Sequence, residues 1–477
     1  MRESNKFCAL LNKLTIKRKK RLHLNLKGDI MLMRFGDREI FYLQGVKGME
    51  ILNISISGFR NISKVNLNFD KVTALVGLNG YGKSNVIDAI DFGFDFIHAN
   101  RGIREALMSS KKNIPILKSI AGKKFDFEIE LRLISNQKSY DVKYDFSFSW
   151  HTEKETAKIE NEILKIKKNL ENQKYNLFIS RNGNNAKIKT SESGRCSKNI
   201  KIESNDLVIN KLLSFDDLYY ADIINQINSV QYYVERHLDA SQSFVPSPFV
   251  FKGFKELELH GMQSIPRAIF FLKKDFPRKY ELLIDAFKQL FPNIKDINVR
   301  EIKLNGKIEG LHVEDDAPIM YTDCIYSIVI LDDRLLQPIN FESLSDGTKR
   351  IFLMLTIAVV ADIKNLPIIS IEEPENSIHP GLFQSYLDIL NQLINNCKII
   401  ITSHSPYIIQ YINPKSIYIG MPNKSGEVDF RRISPQKSKT LLKDAAEYDK
   451  TTGDYIFNIL SSSDAEEFLK GYVEKNE

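Results

Sequence analysis

The sequence predicts an α/β fold: a parallel sheet built around a glycine-rich loop, joined to an antiparallel β subdomain and a largely helical insertion. Three observations carry that prediction. A buried run, Val72–Val76, enters the glycine-rich segment Gly77-Leu-Asn-Gly-Tyr-Gly-Lys-Ser84 and then a stretch of helical period. Continuous apolar strands alternate with apolar helices between 348 and 401, which is how a parallel sheet covered on both faces reads. Between these halves lie long runs of apolar–polar alternation, the pattern of half-buried antiparallel strands.

Taken in order, regular structure is expected to begin at Met49. Leu52, Ile54 and Ile56 alternate with polar residues, Gly58-Phe-Arg-Asn61 turns the chain, and Val65, Leu67 and Phe69 alternate again. After the glycine-rich loop, Val86, Ile87, Ile90, Phe94 and Ile97 recur at helical spacing. Phe125–Leu133 and Tyr140–Trp150 form an alternating pair, a long hairpin with one wet face. In 152–174 the spacing of Ile159, Ile163, Ile166 and Leu170 favours a short helix, with a strand through Glu162–Ile166 as the alternative. Residues 183–206, rich in Asn, Lys and Ser, predict a mobile loop. From 207 to 300 the pattern is mainly helical, most clearly at 208–235 and 279–291. Thr348–Ile363 and Leu382–Ile394 read as helices, Pro367–Ile371 and Lys398–Ile401 as buried strands. The tail holds a hairpin turning at Asn423–Gly426 and then polar helix. The expected division is a basic extension (1–48), the first part of an α/β head (49–150), an insertion, mixed and then helical (151–335), the second part of the head (336–420) and a tail (421–477).

The charge balance narrows the class of partner. The 477 residues carry 67 Lys+Arg and 60 Asp+Glu, a net +7. Residues 1–48 alone hold 12 basic and 4 acidic side chains, so the remainder has a net charge of −1. Overall charge therefore argues for nucleic-acid binding only through the first 48 residues. There, Lys17-Arg-Lys-Lys-Arg21 reads as a nucleic-acid arm, as a flexible tail, or as sequence upstream of a true start at Met49. The longest apolar run, Ile351–Ala361, is too short to span a bilayer, which takes about 20 residues. The basic N-terminus lacks the apolar segment of a secretory signal. Cys8, Cys196, Cys324 and Cys397 show no paired spacing, so neither a disulfide framework nor a metal motif is expected. These features together predict a cytoplasmic protein with no membrane partner.

Four motifs carry chemistry. Gly77–Ser84 satisfies G-x-x-x-x-G-K-[ST] between a strand and a helix. Gly77, Gly80 and Gly82 let backbone N–H groups curl around a phosphate, and the following helix points its positive end at the same anion. Lys83 is expected on the β- and γ-phosphates of ATP and Ser84 on Mg²⁺. Ile368-Ile-Ser-Ile-Glu-Glu-Pro-Glu375 ends a buried strand in paired carboxylates. Glu372 is expected to hold Mg²⁺ through a water, and Glu373 to orient or deprotonate the attacking water. Leu344-Ser-Asp-Gly-Thr-Lys-Arg350 is a small-residue turn at a helix N-terminus. Thr402-Ser-His-Ser-Pro406 follows the last buried strand and brings His404 to the ligand edge of the sheet. His379 is expected to be structural.

Those four motifs, in that order, resemble the ABC-type P-loop NTPase heads of the RecF and SMC group, and most closely the AAA15/AAA21-type ATPases of its OLD-like branch. The resemblance implies that two heads dimerise with ATP between them, the phosphate loop of one facing Ser345 and Gly347 of the other. It also implies that His404 senses the γ-phosphate, that Arg60 and Asn61 sit near the nucleotide, and that Asn79 and Asn85 frame the phosphate loop. SMC-type chains carry hundreds of heptad residues between the head halves, and OLD nucleases carry a TOPRIM domain with an Asp-x-Asp pair. Here 152–174 holds barely two heptads, and no Asp-x-Asp follows His404. What remains is an ATPase whose output appears in another polypeptide. The expected function is an ATP-driven sensor or scaffold that controls a separate effector, a nuclease or toxin, in anti-phage defence of the Septu or PARIS kind. The alternative is a RecF-like DNA-binding repair ATPase.

Overall fold

The structure, a computed structural model, describes residues 30–35, 38–43 and 48–474, apart from 154–155, 216, 237–242, 252–256, 258–264, 305–318, 396 and 422–424. It divides into two units, Met1–Val46 and Lys47–Glu477. In the first, β1 (Ile30–Phe35) pairs antiparallel with β2 (Arg38–Leu43) in a register running from Ile30↔Leu43 to Phe35↔Arg38. Regular structure thus begins before Met49, contrary to expectation. The overlooked signal is Gly36-Asp37, a two-residue turn dipeptide between two β-prone runs. Cys8 and the basic run Lys17–Arg21 lie outside the described residues.

The second unit is built on two sheets. The hairpin β3 (Glu50–Phe59) and β4 (Ile62–Asn68) precedes β5 (Val72–Val76), α1 (Lys83–His98) and α2 (Arg101–Met108). Then come β6 (Phe125–Ser135), β7 (Lys138–Ser149), β8 (Lys158–Lys168), β9 (Asn176–Asn182), β10 (Asn185–Ile188) and β11 (Lys198–Lys201). Eight of these strands form one antiparallel sheet, in the order β11-β10-β9-β8-β7-β6-β3-β4. The expected β6–β7 hairpin is present, with Phe125↔Phe148 and Ser135↔Lys138 at its ends.

Two expectations fail in this sheet. Residues 158–168 are strand, not helix. Ile159, Glu162, Leu164 and Ile166 are buried, and Leu170, which completed the heptad pattern, is 65% exposed. A charged residue in the buried set hid the two-residue period, and pairing with the neighbouring strands decided the conformation. Glu162 is tolerated inside because it accepts the backbone N–H groups of Val208 (2.6 Å) and Ile209 (2.9 Å) and the Tyr144 hydroxyl (3.2 Å). Residues 183–206 contain β10 and the edge strand β11 where a mobile loop was expected. Ala186, Ile188 and Ile202 reach the main core, too few apolar residues to stand out in a polar stretch, and Arg181 ties the region together through the carbonyls of Gly183, Glu203 and Asp206.

Helices α3 (Val208–Leu212) and α4 (Ala221–Asn228) lead to β12 (Tyr232–Glu235), which ends the segment expected to be helical. After β13 (Phe249–Phe251), the helices α5 (Ile265–Asp275) and α6 (Pro277–Leu290) agree with the helical pattern. They are followed by β14 (Ile294–Lys303), β15 (Ile319–Tyr321), β16 (Cys324–Asp332) and β17 (Ile339–Asn340). The order β14-β16-β17 forms a small separate sheet.

The last third is regular: α7 (Asp346–Ile363), β18 (Ile368–Glu372), α8 (Pro380–Leu393), β19 (Lys398–Ser403), α9 (Pro406–Tyr411), β20 (Ile417–Gly420) and β21 (Phe430–Arg432). The polar tail forms α10 (Ser438–Glu447), α11 (Thr452–Leu460) and α12 (Ala465–Lys470). The core sheet runs β12-β18-β19-β5-β20-β21, parallel except for β21. The β20–β21 connection includes 422–424, outside the described residues.

Helix α1 joins the two sheets. Its Val86, Ile87, Ile90, Phe94 and Phe96 share one core with Ile54, Phe127 and Phe146 of the antiparallel sheet and with Leu75 and Ile400 of the parallel one. Phe96 stacks on Phe146 and Phe148 at 4.9 and 4.8 Å, pairs worth about 0.5–1.5 kcal/mol each beyond burial. The consequence for function is positional. The start of α1 is fixed by packing on both sides, at the edge where β5, β18 and β19 end.

Candidate functional site

The phosphate loop leaves β5 and ends at Gly82, which caps α1 at φ 84°, a left-handed conformation that L side chains avoid. Asn79 and Gly80 are exposed at the tip. Lys83 is 8% exposed and folds back over the loop, donating to the carbonyls of Gly77 (2.8 Å) and Leu78 (3.2 Å). Burial pulls its pKa down, opposed by the carboxylates of Glu373, Glu375 and Glu372.

The parallel register delivers the acids. Strand β18 pairs with β19 through Glu372↔Thr402, and β19 pairs with β5 through Ser403↔Val76. These three strands end side by side, so residues 288 positions apart in sequence meet: Ser84 Oγ donates to Glu372 Oε2 at 2.9 Å. Hydroxyl and carboxylate oxygens are the donors Mg²⁺ prefers, and phosphate oxygens and water complete its octahedron. The pair therefore fits that ion. Among the described residues no group of three or more His, Cys, Asp or Glu side chains is arranged to hold a metal ion.

Glu373 follows at φ 48°, a strained conformation for a non-glycine residue. Its backbone is held by N–H donation to the Thr402 carbonyl at 2.9 Å and by Arg350, which donates to its carbonyl at 2.6 Å. Oε2 accepts from Asn376 Nδ2 at 2.7 Å, and Oε1 lies 3.0 Å from His404 Nδ1. Burial raises the Glu373 pKa, but the Asn376 bond, then His404 and Lys83, outweigh it and leave the carboxyl below its usual value. An ionised carboxylate accepts, so the His404 Nδ1 that faces Glu373 Oε1 carries a proton in this pair. Glu375 turns the other way, inward to Ser403 Oγ, and burial raises its pKa.

Arg60 and Asn61 reach the same helix from the β3–β4 turn. Arg60, at φ 49°, donates to Asn85 Oδ1 (2.9 Å) and Asp88 Oδ2 (2.5 Å), and Asn85 Nδ2 donates to Asn61 Oδ1 at 2.7 Å. Asn61 also anchors the β20–β21 connection, donating to the Gly426 carbonyl at 3.2 Å and accepting the Val428 N–H at 2.8 Å. Beside this connection and the loop tip lies a cleft of about 370 Å³, whose walls include Asn61, Tyr81, Glu427 and Ser462.

Lys83, Ser84, Glu372, Glu373 and His404 are thus brought together by the fold. Ser345 and Gly347 sit apart from them at the start of α7, where Ser345 caps the helix by accepting the Thr348 N–H at 3.3 Å. Gly347 packs against the loop after Glu373; a Cβ there would stand 2.2 Å from the Ser377 carbonyl oxygen. His379 caps α8, its Nδ1 accepting the Gly381 N–H at 3.2 Å, a structural role as expected. Two residues escaped the sequence reading. Arg236, at the end of β12, lies 3.9 Å from Glu372 and binds Asp88. Asp88 itself, one turn after Ser84, looked like an ordinary polar position on α1. Only the edge position of β12, invisible before the fold, brings Arg236 here.

Residues 72–410 match the family model described as AAA domain, putative AbiEii toxin, Type IV TA system. The match covers well over half of the chain, and the chain belongs to that family. Among curated proteins none matches it. Among solved structures it is similar to an SMC head bound to the C-terminal winged-helix domain of ScpA, at 14% identity and TM-score 0.43 over 82% of this chain and 99% of that one. Similarity extends to the SMC head domain from Thermotoga maritima (13%, TM-score 0.37, 81% and 99%). The recombination mediator RecF is comparable (14%, TM-score 0.38, 81% and 99%). No helix among the described residues is long and apolar enough to cross a membrane.

Proposed function

We propose that this AAA-family chain is a Mg²⁺-dependent ATPase. The observation that carries the reading is the meeting, at the ends of three parallel strands, of two pairs: Ser84 with Glu372 and Glu373 with His404. Gly77, Asn79, Gly80, Gly82 and Asn85 shape the phosphate cradle, and Lys83 shifts its donation from loop carbonyls to the β- and γ-phosphates. Ser84 and Glu372 hold Mg²⁺, which neutralises phosphate charge when bound. Glu373, kept ionised, accepts a proton from the attacking water, and His404 senses the γ-phosphate through the ring edge that Glu373 leaves uncovered. Asn61 and Arg60 frame the nucleoside end, for which the cleft beside Tyr81 has the size of a small-ligand site.

The exposed Ser345 hydroxyl and the α7 N-terminus are placed to close on a second head's nucleotide, so ATP joins two copies and hydrolysis releases them. In this reading the chain is the sensor or scaffold of an anti-phage system and controls a separate nuclease or toxin. The family's description as a putative toxin of a toxin–antitoxin system supports a defence context. The test is Glu373→Gln. ATP binding should persist while turnover falls by two or more orders of magnitude, and the chain should elute as an ATP-dependent dimer. Turnover at the parental rate refutes the assignment of the base.

A further inference from the structure

We propose that Arg236 is a positioning residue that sets the divalent-cation affinity of the Ser84–Glu372 pair and makes cation entry depend on the nucleotide triphosphate. The proposal rests on reading that pair as the Mg²⁺ seat. Strand β12 lies beside β18 in parallel register with Glu235↔Ile371, so the next residue, Arg236, falls in line with Glu372. Its guanidinium is not free to wander. Nη1 binds Asp88 Oδ1, Nη2 lies 3.5 Å from Asp91 Oδ2, and the other Asp88 oxygen is taken by Arg60 at 2.5 Å. Asp88 is thus clamped between two arginines and holds Arg236 where Nη1 stands 3.9 Å from Glu372 Oε1. The two oxygens of Glu372 are divided, Oε2 to Ser84 and Oε1 toward Arg236.

A fixed cation beside a carboxylate weakens its hold on a divalent ion. At a separation of about 6 Å, one unit charge changes the affinity for a doubly charged ion about tenfold, even at the dielectric constant of water. With Arg236 in place, one carboxylate and one hydroxyl retain the ion only weakly. The charge of a triphosphate is what tips the balance, so the metal enters as its nucleotide complex.

The experiment is Mn²⁺ titration of the full chain followed by the paramagnetic resonance of the free ion, with and without a non-hydrolysable ATP analogue. Arg236→Ala and Arg236→Gln should each tighten Mn²⁺ binding about tenfold, most visibly without nucleotide. Arg236→Lys should stay within about threefold of the parent. The glutamine variant retains much of the side chain's packing should the alanine one unfold. Parental or weaker binding in whichever neutral variant folds overturns the proposal. Glu372→Gln separates the two layers. If it leaves Mn²⁺ binding unchanged, the seat itself is misassigned. If it weakens binding while neither neutral variant tightens it, the seat stands and only the role of Arg236 falls.

Discussion

Gly82→Ala puts two separable costs on the phosphate loop. Gly82 has φ 84°, and a Cβ there would come within 2.3 Å of Val428 Cγ2. The conformational cost for an L residue is about 1–2 kcal/mol. The overlap adds about 1–3 kcal/mol, because Val428 is β-branched and 3% exposed and has little room to turn. Gly80 isolates the first cost, since it has φ 85° and a Cβ there would meet no atom within 4 Å. Gly80→Ala should therefore cost about 1–2 kcal/mol and Gly82→Ala about 2–5 kcal/mol. Adding Val428→Ala should recover only the overlap, a favourable coupling of about 1–3 kcal/mol in a double-mutant cycle. Urea denaturation can follow this through Trp150, the single tryptophan, which packs 5.7 Å from Phe92 of α1 and donates to the Gly58 carbonyl. Equal costs for Gly80→Ala and Gly82→Ala, or no coupling with Val428, would refute the argument that the β20–β21 connection is pressed onto the loop.

Lys83→Ala should lower ATP affinity by at least tenfold in an equilibrium titration; unchanged affinity removes the phosphate-loop reading. Asp145 faces Glu128 across the β6–β7 ladder, and burial, then that like charge, raises its pKa to about 7. A raised acid binds its proton more tightly in the folded state, so stability should fall as pH rises from about 4 to about 7 and then level off. Three pKa units set a ceiling of about 4 kcal/mol; allowing for partial exposure, Asp145→Asn should gain about 1–3 kcal/mol at pH 8 and nothing at pH 4. A gain that is equal at both pH values excludes this titration as the cause. Glu162→Ala orphans two backbone N–H groups beside the buried Arg181 and should cost about 3–5 kcal/mol. Glu162→Gln, which still accepts one of those bonds, should cost less than half as much in the same denaturation assay.

Much of the candidate site at the strand ends was legible before the fold because its signals are local. A phosphate loop needs particular backbone conformations at consecutive residues, and a strand ending in Glu372-Glu373 announces its own sheet edge. The helix α7 was readable for the same reason, with Ser345 as its cap and an unbroken apolar run behind it. The antiparallel sheet was legible where alternation is clean, as in β6 and β7. It failed at β8, where Glu162 breaks the apolar period, and at β10 and β11, four-residue strands in which only Ala186 and Ile188 are fully buried.

By itself, the sequence determined which groups this protein has for phosphate chemistry and the strand–loop–helix unit that presents them. The tertiary structure decided which of them meet. That Ser84 faces Glu372, that His404 closes on Glu373, and that Arg236 stands beside Asp88 and Asp91 of α1 and the end of β18 are consequences of parallel register between strands far apart in the chain. Register is a long-range property, set by the packing of α1 between two sheets, and no short stretch of residues contains it.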